Sequence, residues 1–382
     1  MANEQLPITP AVVSWARERA GYSLLKAAET FRKIEQWEDP NSEIRPTYPQ
    51  LEKLSEAFNV PVAVFFFPEP PNVPPIEETF RSLSGVVFGR LPPRIRKLLG
   101  RAKSMQMGLA ELNDGRNPAK RLITRDLSYE PSVSISRMAR EVRDYLGVTI
   151  EEQKSFKDSD EALKAWRLAL TEVGIFVFKD AFKAEGYSGF CLTDDEFPII
   201  YVNNSTHENR QMFTLFHELA HLLFDTSGID TAKDEFIGQL TGRRRRIETA
   251  CNSFAGAFLL PEDAFEAAMK GQIADEHAAS DIADAFKVSR AVVFHRFFER
   301  GLIGDDAYGA AMAAFNRPRG GGGEGGGNYY ATQISYLGRP YIRTALTRYY
   351  QQRISREQLA DYLNIKARYV DAFEAAFEKG GA

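Results

Sequence analysis

The chain has 382 residues, long for one core, so two to four domains are expected, and its 44% hydrophobic and 26% charged residues are ordinary for a folded, water-facing protein. A net charge of −4 gives no whole-chain argument for nucleic acid, and two cysteines, Cys191 and Cys251, suggest no disulfide framework and fit a reducing cytoplasm. No basic stretch followed by an apolar one opens the sequence, and apolar runs such as 62–67 are far too short for a bilayer, so neither a signal peptide nor a membrane partner is expected.

Residues 1–67 predict a small helical module. Residues 11–20 are amphipathic, Gly21-Tyr22-Ser23 makes a turn with Ser23 as the cap of the next helix, and Trp37-Glu38-Asp39-Pro40 closes a helix. Pro46-Thr47 opens another helix over 50–58, with Leu51, Leu54, Ala57 and Phe58 on its apolar side. Prolines at 68, 70, 71, 74 and 75 mark residues 68–89 as a stiff linker. The next region, 90–159, is helical and basic: within 90–146, 13 Lys or Arg face 6 Asp or Glu, a net of +7, against −2 over 1–67. Such a region reads as a solvated helical face or as a surface for nucleic acid or an acidic partner.

Residues 160–270 form the next segment, and 160–224 predict helix, strand, strand, strand, helix. The first helix covers 160–172, and a strand follows Gly174 over 174–178. Two more strands, 189–192 and 198–203, flank the acidic turn Asp194-Asp195-Glu196. A sheet edge beside the following helix would suit an extended peptide. A second apolar helix covers 247–260 and stops at Pro261. A helical extension over 271–319 has Val288-Ser289 as a cap, 320–327 is a glycine linker, and 328–382 is a last helical module.

The helix after the strands carries His217-Glu218-Leu219-Ala220-His221, an H-E-x-x-H pattern in a chain with only five histidines. Residues four apart on a helix differ by about 40° in direction, so both imidazoles leave one face and can share an ion, with Zn2+ the usual occupant. Glu218, next to the first ligand, is placed to act as general base toward a water on that ion. A hydrolytic zinc site usually takes a third protein ligand. The downstream candidates are Asp225, Asp230, Asp234, Glu235, Glu248 and Cys251. Asp225 lies about 12 Å along the helix axis from His217, too far while the helix continues. Glu248 is better placed, because it begins an apolar helix that can pack across the first. Cys251, one turn further on, is a good zinc ligand by chemistry and a small core residue by the simpler reading.

Thr214 to Leu223 read T-x-x-H-E-x-x-H, and Glu248-Thr249-Ala250-Cys251-Asn252-Ser253-Phe254-Ala255 with Leu259-Leu260-Pro261 follows. Together with Ser188-Gly189-Phe190 and the strand over 198–203, these residues resemble the ImmA/IrrE family of zinc metallopeptidases. The resemblance implies His217, His221 and Glu248 as ligands of one Zn2+ and Glu218 as catalytic base. Cys251 stands where the family usually has alanine. A His2Glu donor set also suits Mn2+ or Fe2+. The resemblance further implies a site-specific endopeptidase of stress responses, mobile elements or defence, whose substrate is a transcriptional repressor of the XRE type. Gly21-Tyr22-Ser23, Trp37-Glu38 and residues 46–54 resemble the XRE helix-turn-helix itself, although 28–37 is three or four residues shorter than that pattern. DNA is therefore a second expected partner, through this module or through 90–146. The alternative function is a DNA-binding regulator whose metal site is structural or sensory. The run Arg243-Arg244-Arg245-Arg246 is expected in a loop before Glu248, either solvated or as a docking or cleavage site. The expected architecture is α+β and mostly helical: a zincin-like core with a small sheet, flanked by helical modules at both ends.

Overall fold

Side-chain caps set many of the helix boundaries. In the computed structural model, which describes residues 5–71, 91–184, 186–226, 229–231, 242–315 and 328–379, the chain divides into two units, Met1–Lys103 and Ser104–Ala382. That boundary falls inside 90–159, the stretch the sequence groups as one basic region. Most of the Pro-rich linker and all of the glycine linker lie outside the described residues.

The first unit holds α1 (Pro10–Arg19), α2 (Leu24–Thr30), α3 (Ile34–Glu38), α4 (Tyr48–Phe58) and a 3-10 turn, Val62–Phe66. Ser23 accepts a hydrogen bond from the Lys26 amide, as its position in the sequence suggests, and such a cap is worth about 1 kcal/mol. Thr47 and Gln50 form a reciprocal capping box, which starts α4 two residues earlier than its apolar periodicity suggests. Val12, Ala16, Ile34, Trp37, Leu51 and Phe65 form the core of this unit. Arg17 is buried beneath it and meets Glu38 through Nε at 2.6 Å and Nη2 at 3.0 Å. The helix pair α2–α3 is only seven and five residues long, as the shortened sequence pattern implies.

Helix α5 (Pro93–Leu112) runs into the second unit, followed by α6 (Ile123–Asp126), α7 (Ile135–Leu146), α8 (Ile150–Ser155) and α9 (Ser159–Glu172). Strands β1 (Phe176–Asp180), β2 (Tyr187–Leu192) and β3 (Ile199–Asn203) precede α10 (Glu208–Leu223). Strand β4 (Ile229–Thr231) comes next, then α11 (Gly242–Leu259), α12 (Glu262–Met269), α13 (Glu276–Phe286), α14 (Arg290–Glu299) and α15 (Asp305–Phe315). The last four helices are α16 (Tyr329–Leu337), α17 (Arg339–Tyr350), α18 (Arg356–Leu363) and α19 (Val370–Lys379). The fold is thus α+β and mostly helical, with one small sheet. No helix among the described residues is long and apolar enough to cross a membrane.

The sheet has the order β1-β3-β2-β4, with β1–β3 parallel and β2 antiparallel to both neighbours. The three strands expected from sequence are present, and a fourth, β4, covers the free side of β2. The peptide-accepting edge expected beside the metal helix is therefore not β2. Strands β1 and β3 are buried along their whole length, because helices cover the sheet on both sides. One face carries an aromatic cluster in which Phe190 and Tyr201 stack at 5.1 Å and Phe178 meets Tyr341 of α17 edge-on at 5.3 Å. Val177, Cys191, Ile200 and Val202 join the main core with α10 and α11.

A second correction concerns the arginine run. Arg243, Arg244, Arg245 and Arg246 form exposed turns of α11, which begins at Gly242, and not a loop. Arginine is a good helix former, and an apolar segment directly C-terminal to the run lets the helix extend back through it.

Candidate metal centre

Two helices make the site, and their contact is fixed by aromatic packing. Phe216, the residue before His217, stacks on Phe258 of α11 at 4.0 Å and receives the edge of Trp166 from α9 at 5.1 Å. Each such pair contributes about 0.5–1.5 kcal/mol beyond its buried area. The C-terminal end of α11 is clamped from below. Buried Arg143 donates to the Phe258 carbonyl and, at 2.8 Å, to the Gln153 side chain; Gln153 in turn donates to the Leu259 carbonyl at 2.8 Å. These partners satisfy carbonyls that a helix end leaves open, and a cation there also complements the helix dipole. Burial lowers the Arg143 pKa to about 10, which leaves the guanidinium charged near neutrality.

On the sheet side, α10 lies against β2 at Gly189. A β-carbon at this position would stand 2.4 Å from Thr214 Cγ2 and 2.9 Å from the Tyr201 carbonyl oxygen, with Glu218 Cγ at 3.7 Å. Only glycine lets the helix that carries Glu218 come this close.

With the helices so placed, His217 and His221 are buried and their Nε2 atoms lie 3.2 Å apart. Glu248, near the start of α11, puts Oε2 3.4 Å from His217 Nε2 and Oε1 3.5 Å from His221 Nε2. Ligands of one tetrahedral zinc, each about 2.0–2.1 Å from the ion, stand about 3.3–3.4 Å apart, so these three side chains fit a single metal ion. Cys251 Sγ belongs to the same neighbourhood: its sulfur and one ring nitrogen of each histidine all lie within 4.8 Å of one another. Burial works against ionisation of Glu248, but hydrogen bonds from both imidazoles prevail and hold its carboxyl well below the usual range.

The other ring nitrogens decide which tautomer each histidine adopts. His217 Nδ1 lies 2.8 Å from Asn252 Oδ1. An amide oxygen only accepts, so Nδ1 carries a proton, and in the neutral imidazole Nε2 is the nitrogen left with a lone pair for a metal ion. His221 Nδ1 is 3.1 Å from Thr226 Oγ1, whose own hydroxyl donates to the His221 carbonyl. Its Nδ1 is therefore the donor, and its Nε2 also presents a lone pair. Outer partners of this kind orient metal-binding histidines and raise their basicity.

Sequence reasoning did not assign roles to Asn252 and Thr226. Asn252 had a usable signal, since it lies four residues after Glu248 and so on the same helix face. Thr226 had none, because it sits in the irregular turn beyond α10. Glu218, which lies between the two histidines in sequence, is completely buried. The remaining candidates go elsewhere. Asp225 is exposed and adopts left-handed backbone (φ 52°) past the end of α10. Asp234, Glu235 and the side chain of Asp230 lie outside the described residues. Among the polar groups near the site in sequence, Tyr201 is fully buried in the aromatic cluster, Asn203 donates to the Tyr187 carbonyl, and His207 caps α10 through the Asn209 amide.

Known proteins similar to this chain align with the segment that carries the site. The profile of the IrrE N-terminal-like domain matches residues 170–298, from the end of α9 to α14. The radiation response metalloprotease IrrE of Deinococcus radiodurans is 29% identical over 109 residues, 28% of this chain and 33% of that protein. Its namesake from Deinococcus deserti is 30% identical over 109 residues, 28% of this chain and 38% of that protein. The chain thus spans little more than a third of the length of these curated relatives.

Proposed function

From the similarity of residues 170–298 to the IrrE N-terminal-like domain, we propose that this chain is a zinc-dependent, site-specific endopeptidase of the ImmA/IrrE family acting on a regulatory protein. The observation that carries this reading is the convergence of His217 Nε2, His221 Nε2 and the Glu248 carboxylate within 3.2–3.5 Å of one another. A zinc ion held there would supply Lewis acidity toward a peptide carbonyl and lower the pKa of a water molecule toward neutrality. The chain's own part is acid–base work. Glu218 accepts the proton of the attacking water and returns it to the departing amine.

The substrate in this proposal is a transcriptional repressor of the XRE type, the context a stress, mobile-element or defence response, and the compartment the cytoplasm. The test is comparison of new protein N-termini in cells expressing the wild type or Glu218→Gln. The proposal expects zinc-dependent cleavages in the first and none in the second, with the variant still folded and metal-bound. Full cleavage by Glu218→Gln would refute it.

A second reading, DNA binding by the chain itself, draws on the net charge of +7 over 90–146. Sequence-specific, salt-dependent DNA binding that survives chelation, without proteolysis, would favour it.

A further inference from the structure

Away from the metal centre, the second unit contains a cavity of about 1010 Å³ between α9, β1 and the C-terminal helices α16, α17 and α19. This is the upper end of the size range of small-molecule sites. Much of its wall is apolar, including Leu163, Phe176, Phe178, Ile334 and Ala376. Among the described residues, five cations line it (Lys164, Arg167, Lys179, Arg339 and Lys379) against a single carboxylate, Asp160.

Two of the five charges have evident partners at the rim, and a third meets solvent. Lys164 pairs with Asp160 at 2.6 Å, Arg339 donates to the Phe377 carbonyl and lies over its ring, and Lys379 is exposed. The two inner cations differ. Arg167 donates to the backbone carbonyls of Val177 and Ser335, both at 2.8 Å, and meets no carboxylate among the described residues. Lys179 is 93% buried by its 7% exposure, and among the described residues nothing hydrogen-bonds or ion-pairs with its ammonium. Burial, reinforced by Arg167, pulls its pKa down to about 8. An ammonium that opens from a buried side chain into a largely apolar cavity, beside a part-buried guanidinium, is a place where an anion between the two cations is stabilised.

We propose that this cavity binds a small amphiphile with an aliphatic body and one carboxylate end, the carboxylate held by Lys179 and Arg167 and the body by the apolar walls. A purely apolar ligand would leave both cations unpaired, and a small inorganic anion would leave the walls unfilled. The site is distinct from the metal centre yet close to it in the packing, since Trp166, adjacent to Arg167, packs against Phe216. The inference does not depend on the peptidase reading.

Calorimetric titration of the full chain with decanoate, decanol and acetate tests it. Decanoate is expected to bind saturably at about one per chain, with decanol and acetate at least roughly tenfold weaker. Lys179→Met is expected to weaken decanoate by roughly tenfold or more while leaving decanol unchanged. The variant's Tm, expected at or above that of the wild type, shows that it folds. Equal binding of decanoate and decanol, no effect of Lys179→Met, or no saturable decanoate binding at millimolar concentration would each overturn the proposal.

Discussion

Asn252 Oδ1 accepts a hydrogen bond from His217 Nδ1 at 2.8 Å, and this contact couples the two helices of the candidate metal centre. Asn252 sits one turn beyond Glu248 on α11, so the helix that brings the carboxylate also fixes the tautomer of the histidine opposite. Asn252→Ala should lower metal affinity by about 10–100-fold while leaving the fold intact. Competition against a chromophoric chelator measures this directly. Unchanged affinity would show that the His217 tautomer is set by something else.

Glu248 and Cys251 rank differently as ligands. The carboxylate oxygens already stand at ligand–ligand spacing from both imidazoles, whereas the thiol is placed only within the wider 4.8 Å neighbourhood. Glu248→Ala should therefore abolish stoichiometric metal binding, and Cys251→Ala should retain it. Electronic spectra of the cobalt-loaded protein supply an independent check: loss of a sulfur-to-metal charge-transfer band in Cys251→Ala, together with loss of metal, would reverse the ranking.

Gly189 is where the sheet admits the metal helix. Gly189→Ala forces a methyl group against Thr214 Cγ2 and the Tyr201 carbonyl and should cost about 1–3 kcal/mol, seen as a lower Tm. Thr214→Ser removes the nearer obstacle and should restore part of the loss, but not all, because the carbonyl remains. Full stability of the single variant would mean that β2 and α10 are not in close contact.

Lys179 gives a pH signature. Its pKa falls from the ordinary 10.5 to about 8 in the folded chain, so between these values the unfolded chain holds a proton that the folded chain has released. Stability from this group is therefore lowest below pH 8 and rises as the pH climbs toward 10.5. The groups acting on it are Arg167 and Lys164, which disfavour its charge, and Glu208 and Asp160, which favour it. Lys179→Met should be more stable than the wild type near neutrality, with the advantage shrinking over this window. A constant difference between the two proteins would contradict the low pKa.

The sequence disclosed the parts of the site that depend on local spacing. The H-E-x-x-H pair needs only the helical period, and Glu248 needs only the start of a second apolar helix. What it did not disclose depends on contacts between distant segments. The Arg143–Gln153 clamp joins residues 115 and 106 positions apart, and no local pattern announces it. Strand β4 is the three-residue segment Ile-Asp-Thr, too short for a period-two alternation to be visible. The polyarginine run looked like a loop because charge patterning says where a segment meets water and not whether it is helical. Lys179 sits in a strand that otherwise reads as core, and its isolation became visible only when α9 and the C-terminal helices closed around it.

The most direct test of the central claim is the metal content of the purified protein, by elemental mass spectrometry, beside a His217→Ala/His221→Ala variant. About one zinc per chain in the wild type and none in the variant is the expected result. Absence of stoichiometric metal from the wild type after reconstitution with zinc, or equal metal in both proteins, would contradict a metal centre built from His217, His221 and Glu248.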